Sequence, residues 1–124
     1  MTPESKFKTW LVTKLRDYGA FVQTLETTTG RGVPDLMLMY DFNTYLWEIK
    51  ACEGSCVLRP EQYAWHRRAL NQSISVLTIQ YNPKKVVIHT HNALEAKPVS
   101  KGWKLQRDRS YMKFEIEALF DFYL

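Results

Sequence analysis

The stretch Gly30–Lys50 decides the fold of this chain: it reads GRGVPDLMLMY, then the polar break DFNT, then YLWEIK. Asp35 stands at the start of the first apolar run, and Glu48 and Lys50 close the second. Charged side chains are rare in strands that otherwise belong to a core, because burying a lone charge is costly unless it is paired or binds a metal. The pattern therefore indicates a functional site built into two neighbouring strands.

The two runs predict a β-hairpin, because turn-forming residues at 41–44 lie between segments rich in strand formers. We expect Tyr40 to pair with Tyr45, which would set Met37 opposite Glu48 and Asp35 opposite Lys50. Side chains alternate between the two faces of a strand, so the charged residues share one face. That face carries Asp35, Met37, Met39, Leu46, Glu48 and Lys50, and the apolar face carries Leu36, Leu38, Tyr40, Tyr45, Trp47 and Ile49.

Two carboxylates that converge on one point repel each other unless a cation lies between them. Oxygen ligands suit Mg²⁺ or Mn²⁺, and a bound metal ion makes water easier to deprotonate. Lys50 would point at the same place, where it can orient water or stabilise transition-state charge. The alternative is an ion pair between Lys50 and either Asp35 or Glu48, and a Glu-x-Lys pattern alone indicates no more. The Pro-Asp on the preceding strand favours the metal site.

These motifs resemble those of a nuclease superfamily. Pro34-Asp35 followed by Glu48-Ile49-Lys50 resembles the PD-(D/E)XK pattern. The fuller set, Gly32–Leu36, Trp47–Lys50 and Leu58–Trp65, is similar to the VRR-NUC branch, whose small stand-alone members are related to Holliday-junction resolvases. The resemblance extends over residues 2 to 90. It implies an α/β fold with a restriction-endonuclease-like mixed sheet flanked by helices.

The resemblance also implies a set of site residues. In the family, an Asp, a Glu and the backbone carbonyl between Glu and Lys hold a divalent metal ion, here expected to be Mg²⁺ with Mn²⁺ as a substitute. The Lys acts beside it, and a Gln on the following helix and an acid on the first helix complete the set. The corresponding residues are Asp35, Glu48 and the Ile49 carbonyl at the metal, with Lys50, Gln62 and Glu4 around them.

The first helix begins at Thr2-Pro3-Glu4, where a hydroxyl N-cap precedes a proline at the first helical position. Apolar residues then recur at helical spacing until Gly19. From the residues alone, Glu4 is a first-turn acid favoured by the helix dipole. A role for Glu4 at the site comes from the resemblance.

A strand is predicted over residues 21–28, followed by a loop at 29–32 that enters the hairpin. Gly30 and Gly32 permit unusual backbone angles or close approach to a ligand. Arg31 between them is a candidate DNA phosphate contact, and the alternative is a solvated loop arginine.

A second helix is predicted from Pro60 to about Asn71. Gln62 and His66 lie one turn apart on one face of it. His66 is not placed in the catalytic set, because the family uses no histidine here. Arg67 and Arg68 on the same helix are candidate DNA contacts.

Two more strands are predicted at 75–81 and 86–91, around a turn at 82–85. The order is then helix, three strands, helix, two strands, which agrees with the mixed α/β core of the superfamily. A chain of 124 residues is expected to form a single domain over 1–124.

Residues 92–124 lie beyond the resemblance. Their basic residues are interrupted by Trp103 and Tyr111, a mixture that suits nucleic acid, and Lys101 and Lys104 are the candidate DNA contacts. The alternative is a solvated appendage whose Trp103 packs on the domain. The basic residues of the segment are Lys97, Lys101, Lys104, Arg107, Arg109 and Lys113.

A last helix is predicted over 110–124, with bulky apolar residues crowded at its end. These side chains require a partner surface, which is either the chain's own core or a second subunit. A homodimer is expected, with this helix as the candidate interface. The side chains concerned are Phe120, Phe122, Tyr123 and Leu124.

Composition agrees with these expectations. Seventeen Lys and Arg against thirteen Asp and Glu give a formal charge of +4, which favours a polyanionic partner without naming it. Cys52 and Cys56 lack a second pair for a zinc site and are expected to be free thiols in a reducing cytoplasm. No apolar run is long enough for a membrane span and no signal-peptide pattern is present, so we expect a cytoplasmic protein without membrane association.

The function expected from the sequence is a Mg²⁺-dependent DNA endonuclease that acts on branched DNA such as four-way junctions. One alternative is a nucleic-acid-binding module that keeps the fold without catalysis. Another is a nuclease of the same fold with a different target, either a restriction site or RNA.

Overall fold

The computed structural model describes residues 1–25 and 31–124. Within these ranges the helices are α1 (Pro3–Tyr18), α2 (Pro60–Asn71) and α3 (Ile116–Tyr123), with a 3-10 turn at Lys113–Glu115 before α3. The strands are β1 (Phe21–Thr24), β2 (Leu36–Tyr40), β3 (Asn43–Ala51), β4 (Val57–Leu58), β5 (Val76–Asn82), β6 (Val87–Val99) and β7 (Gly102–Met112).

In the described part of the chain, the seven strands form one sheet in the order β1-β2-β3-β5-β6-β7-β4. Strands β3 and β5 pair in parallel, whereas the other neighbours are antiparallel. The sheet is therefore mixed and carries helices on both sides. This confirms the predicted α/β class and its flanked mixed sheet.

In the β2–β3 hairpin each side chain lies on the face predicted for it, but the two strands pair in a register different from the predicted one. Tyr40 pairs with Asn43, not with Tyr45, because the turn is only Asp41 and Phe42, at φ 50° and 67°. Tight two-residue hairpins favour positive φ at both central residues. A shift of two residues leaves each side chain on its predicted face, since the period of a strand is two. The correction moves Asp35 from opposite Lys50 to the level of Glu48, one step beyond the Leu36–Trp47 pair.

Other boundaries follow the sequence closely in the first part of the chain. Helix α2 has the predicted bounds, and the connection predicted at 51–58 contains the short strand β4. The strand predicted at 21–28 is observed over Phe21–Thr24, while residues 26–30, including Gly30, lie outside the described ranges.

The basic segment after residue 91 is not a solvated appendage. Strand β6 continues to Val99, and β7 returns from Gly102 to Met112, so the two form a long hairpin within the sheet. Strand β7 is absent from the predicted elements, because its charged and polar residues do not produce an apolar alternation. The helix predicted from residue 110 begins at Ile116, because 110–112 still belong to β7.

Helices α1 and α3 cover one face of the sheet. The core on this side contains Leu11 and Leu15 from α1, Leu36 and Trp47 from the hairpin, and Phe120 from α3. Burying side chains of this size is the main source of stability in a small domain. The apolar face predicted for the hairpin is thus confirmed as the face under these helices.

The predicted use of the last helix as a dimer interface is wrong for Phe120, which is 0% exposed in the chain's own core. Ile116 and Leu119 are buried with it. Tyr123 and Leu124 are partly buried against the same core, and Phe122 is 55% exposed. Helix α3 therefore caps the core of its own chain.

Over residues 1–25 and 31–124, none of the helices has the length and apolar character needed to cross a membrane.

Candidate active site

An open cleft of about 510 Å³ lies at the edge of the sheet where β2 begins and β3 ends. The N-terminus of α1, the loop before β2 and the first turn of α2 complete its walls. Six residues singled out in the sequence line this one cleft: Glu4, Arg31, Asp35, Glu48, Lys50 and Gln62.

Asp35 is held between β3 and α1. Its Oδ2 accepts a hydrogen bond from the backbone amide of Ile49 at 2.8 Å, and its Oδ1 lies 3.8 Å from Lys8 Nζ. The amide and carbonyl of one residue in a strand point to the same side, so the Ile49 carbonyl also faces this edge of β3. Lys8 was missed by the sequence analysis, although it follows Glu4 by one turn of α1 and could have been found by that spacing.

Glu48 is the most unusual group in the cleft. Its side chain is 4% exposed, and its Oε2 accepts a hydrogen bond from Gln62 Nε2 at 3.2 Å. Its Oε1 is buried and has no partner among the described residues. Burial, reinforced by the neighbouring charge of Asp35, raises the pKa of Glu48 to about 9. A buried carboxylate oxygen without a partner is costly, which makes this atom a natural ligand for a cation.

The donor set fits a hard divalent cation that keeps much of its water. Over the described ranges, no group of three or more His, Cys, Asp or Glu side chains is arranged to hold a metal ion. The oxygen atoms that the floor of the cleft offers to a cation belong to the carboxylates of Asp35 and Glu48. Mg²⁺ commonly uses one or two carboxylates and retains several waters, so this sparse set suits it.

Gln62 joins the groups of the site through both ends of its amide. Its Oε1 accepts hydrogen bonds from Lys50 Nζ at 3.0 Å and from the backbone amide of Arg59 at 2.9 Å. Its Nε2 donates to Glu48. The ammonium donates only, so this network defines which end of the amide is oxygen. The bond to Arg59 also caps the N-terminus of α2, which begins at Pro60, so one side chain positions both the helix and the site.

The loop before β2 packs closely on the start of α2. Gly32 has φ +81°, and a Cβ placed there would lie 2.2 Å from the carbonyl oxygen of Glu61. Only glycine fits a backbone at this distance and in this conformation. The packing places the exposed Arg31 at the cleft.

The remaining predicted DNA contacts lie outside the cleft. Arg68, Lys101 and Lys104 are exposed and Arg67 is half-buried. None of these four lines the cleft as described.

A buried polar layer, which was not predicted from the sequence, continues from the cleft beneath α2. Thr78 and Gln80 of β5 pair with Glu48 and Lys50 in the parallel ladder, so they lie on the same face of the sheet. Gln80 Oε1 accepts a hydrogen bond from His91 Nε2 at 2.7 Å, and Gln80 Nε2 donates to the carbonyls of Cys52 and Gly54. The alternation of polar residues in β5 was the available signal.

The tautomer of His91 follows from these contacts. Because Gln80 uses its amide nitrogen for two carbonyls, its Oε1 must accept, and His91 donates from Nε2. Gln80 thereby ties the loop after Lys50 to β6.

His66 belongs to the same layer and is 2% exposed. Neither ring nitrogen has a partner within the described ranges. Burial, with the nearby charge of Lys50, lowers the pKa of His66 to about 4. His66 is therefore neutral at physiological pH.

Comparison with known proteins supports the architecture. No protein-family model and no curated protein matches the sequence. Among solved structures, the chain is similar to the 1.6 Å structure of Hjc from Archaeoglobus fulgidus, a Holliday junction resolvase from an archaeal hyperthermophile. The TM-score is 0.63 at 13% sequence identity, and the match covers 81% of this chain and 85% of that chain. The chain therefore shares the fold of this structure.

Proposed function

We propose that this protein is a divalent-metal-dependent endonuclease that hydrolyses phosphodiester bonds in branched DNA. The observation that carries the proposal is the position of Glu48 beside Asp35 in an open cleft, where the buried Oε1 of Glu48 has no hydrogen-bond partner among the described residues. Burying Glu48 beside Asp35 costs stability, and a role in binding a cation accounts for this arrangement.

The ligands proposed for the metal ion are Asp35, Glu48 and the Ile49 carbonyl, and Mg²⁺ is the ion they suit best. When bound, a divalent ion supplies a Lewis acid and lowers the pKa of water. The bond from the Ile49 amide holds the Asp35 carboxylate in place, and the bond from Gln62 holds that of Glu48. These contacts keep the two acidic side chains in one orientation before substrate arrives.

Lys50 is the group proposed to act on the phosphate. Gln62 holds its ammonium from the α2 side, so the charge remains at the cleft instead of extending into solvent. In that position the ammonium can stabilise negative charge on a phosphate oxygen as the bond to the leaving group breaks. Glu4 and Arg31 line the same cleft, and we propose Arg31 as a contact to the DNA backbone.

DNA as the substrate is supported by charge and fold together. The chain carries a formal charge of +4, and the cleft is open and polar. The likeness to a Holliday junction resolvase favours branched DNA over a restriction site or RNA. A binding module without catalysis has no observation in its favour, because binding a phosphate backbone does not require the buried carboxylate of Glu48.

Cleavage assays on matched substrates test the proposal. The purified protein is incubated with a four-way junction, a flap, a linear duplex and single-stranded DNA of shared sequence, with Mg²⁺, Mn²⁺, Ca²⁺ or EDTA. We expect cleavage of the junction with Mg²⁺ or Mn²⁺ and none with Ca²⁺ or EDTA. Equal cleavage of all four substrates would contradict branch selectivity, and cleavage in EDTA would contradict metal dependence.

A further inference from the structure

The long β6–β7 hairpin bends back toward the active-site cleft. Its register shifts between Thr90 and His91 and again between Asn92 and Lys97. Bulges of this kind bend a hairpin and increase its twist. The distal half then pairs with β4, through Val57 with Lys104 and Leu58 with Trp103. We call residues 97–104 the hairpin arm.

A second, small core fastens the arm to α2. Leu105 of β7 is buried with Cys56, Leu58 and Ala93. Next to this cluster, the ring of Trp103 stacks on Tyr63 of α2 with centroids 4.0 Å apart and an interplanar angle of 11°. Stacked aromatic pairs contribute beyond their buried area, so the arm is held in a defined position.

The tip of the arm lies at the rim of the cleft. A Cβ placed on Gly102 would be 2.0 Å from the carbonyl oxygen of Leu58 and 3.2 Å from the Cα of Arg59. Arg59 is itself a cleft residue. The exposed Lys101, which precedes Gly102, is therefore next to the wall of the active site.

The charges on the arm are arranged at a cost to stability. Lys97 and Lys104 are exposed and stand directly opposite each other in the antiparallel ladder. Like charges at such positions repel each other and destabilise the pair. The salt bridges found in residues 1–25 and 31–124 involve other side chains. Together with Arg107, the two lysines line a concavity of about 310 Å³, where Glu95 is the acidic residue present.

We propose that the hairpin arm binds the phosphate backbone of a duplex arm of the DNA substrate, next to the strand held in the cleft. The inference rests on the proposed nuclease function and extends it by assigning a second contact region. Bound phosphate would relieve the repulsion between Lys97 and Lys104, which none of the salt bridges in the described part of the chain does. Such contacts position the duplex and carry no sequence information.

The test compares two variants with the same change of charge. Lys97→Gln/Lys104→Gln removes charge from the arm, whereas Lys14→Gln/Lys113→Gln removes it beside Trp10, on the side of the sheet covered by α1. Binding of a labelled four-way junction is measured by anisotropy over a salt series with Ca²⁺. We expect the arm variant to bind about tenfold more weakly than the wild type. The salt slope, which is the magnitude of the slope of log K against log salt concentration, should decrease by about 2, while the control variant stays near wild type.

Thermal unfolding checks that the arm variant folds. Its Tm should equal or exceed that of the wild type, because the repulsion is removed. A second variant, Lys101→Gln, tests the tip alone and should lower the salt slope by about 1. Binding by the folded arm variant equal to that of the control would overturn the inference.

Cleavage with Mg²⁺ is measured in parallel, so that the two proposals can fail separately. If the wild type cleaves the junction and the arm variant binds like the control, the arm inference alone is overturned. If the arm variant binds weakly but the wild type does not cleave, the nuclease function is overturned and the arm inference is supported.

Discussion

Gln62 accepts a hydrogen bond from Lys50 at 3.0 Å, so the first turn of α2 determines where the ammonium of β3 is held. The same amide donates to Glu48, which couples the proposed phosphate contact to a proposed metal ligand. Lys50 and Glu48 both precede α2 in the chain, and one side chain of that helix forms hydrogen bonds with both of them.

Replacing Lys50 should separate phosphate stabilisation from metal binding. Lys50→Ala is expected to lower the single-turnover rate about a hundredfold or more, as for removal of a positioned charge. Metal binding, followed by the Mg²⁺-induced rise in Tm, should persist. Gln62→Ala should show a milder loss of rate. Cleavage by Lys50→Ala near the wild-type rate would leave Lys50 with only a structural contact to Gln62.

Replacing the carboxylates should abolish turnover without preventing DNA binding. Asp35→Asn and Glu48→Gln keep the shape of each side chain but remove the charge that a divalent ion requires. Junction binding in Ca²⁺-free buffer, measured by anisotropy, should stay close to that of the wild type. Undiminished cleavage by either variant would contradict the site assignment.

The raised pKa of Glu48 predicts how stability depends on pH when metal is absent. With a pKa of about 9 in the folded state, against 4.5 as the ordinary value, the folded protein retains a proton that the unfolded chain loses above pH 4.5. Stability should therefore fall as pH rises from about 4.5 to about 9, because the unfolded state binds fewer protons.

Thermal unfolding in EDTA measures this effect. Glu48→Gln should be more stable than the wild type above neutral pH, with a Tm higher by about 5 °C or more. The exposed Glu117→Gln serves as a control and should follow the wild-type curve. A Glu48→Gln curve parallel to that of the wild type would contradict the raised pKa.

Substitutions at two glycines should distinguish the cost of backbone strain from the cost of a steric clash. Gly32 and Gly54 have similar φ, +81° and +77°, but no atom of the described residues lies within 4 Å of a Cβ at Gly54. Gly54→Ala should cost about 1 kcal/mol for the left-handed conformation alone. Gly32→Ala should cost more, because the methyl would clash with the Glu61 carbonyl and displace the loop that carries Arg31. Equal losses of stability in chemical denaturation would show that the clash is relieved by a small movement.

A homodimer remains a prediction. Resolving a four-way junction takes two matched cuts, which a twofold pair of sites supplies, and closed twofold dimers are the commonest oligomers. Sedimentation of the wild type should give a mass near twice 14.6 kDa. Phe122→Gln changes the exposed aromatic of α3 without opening the core and would show whether that side chain contributes to association. A monomer at micromolar concentration with intact junction cleavage would contradict the dimer.

Local chemistry determined which residues can share a site. Alternation along the hairpin places Asp35, Glu48 and Lys50 on one face. This result is unchanged by any register shift of an even number of residues, such as the shift of two found here. Pro60 marks the start of α2, because proline suits the first helical position and disrupts later ones. These rules act over a few residues, so the sequence by itself was sufficient for them.

The tertiary structure decided what depends on contacts between distant segments. The hairpin register followed from positive φ at Phe42, a conformation that phenylalanine does not signal. Bulges and the stacking of Trp103 on Tyr63 fix the position of the hairpin arm. The burial of Phe120 shows that the last helix packs on the core of its own chain. Strand pairing and packing of this kind join residues far apart in the chain. Their free energy depends on which surfaces meet, and no local pattern of residues contains that information.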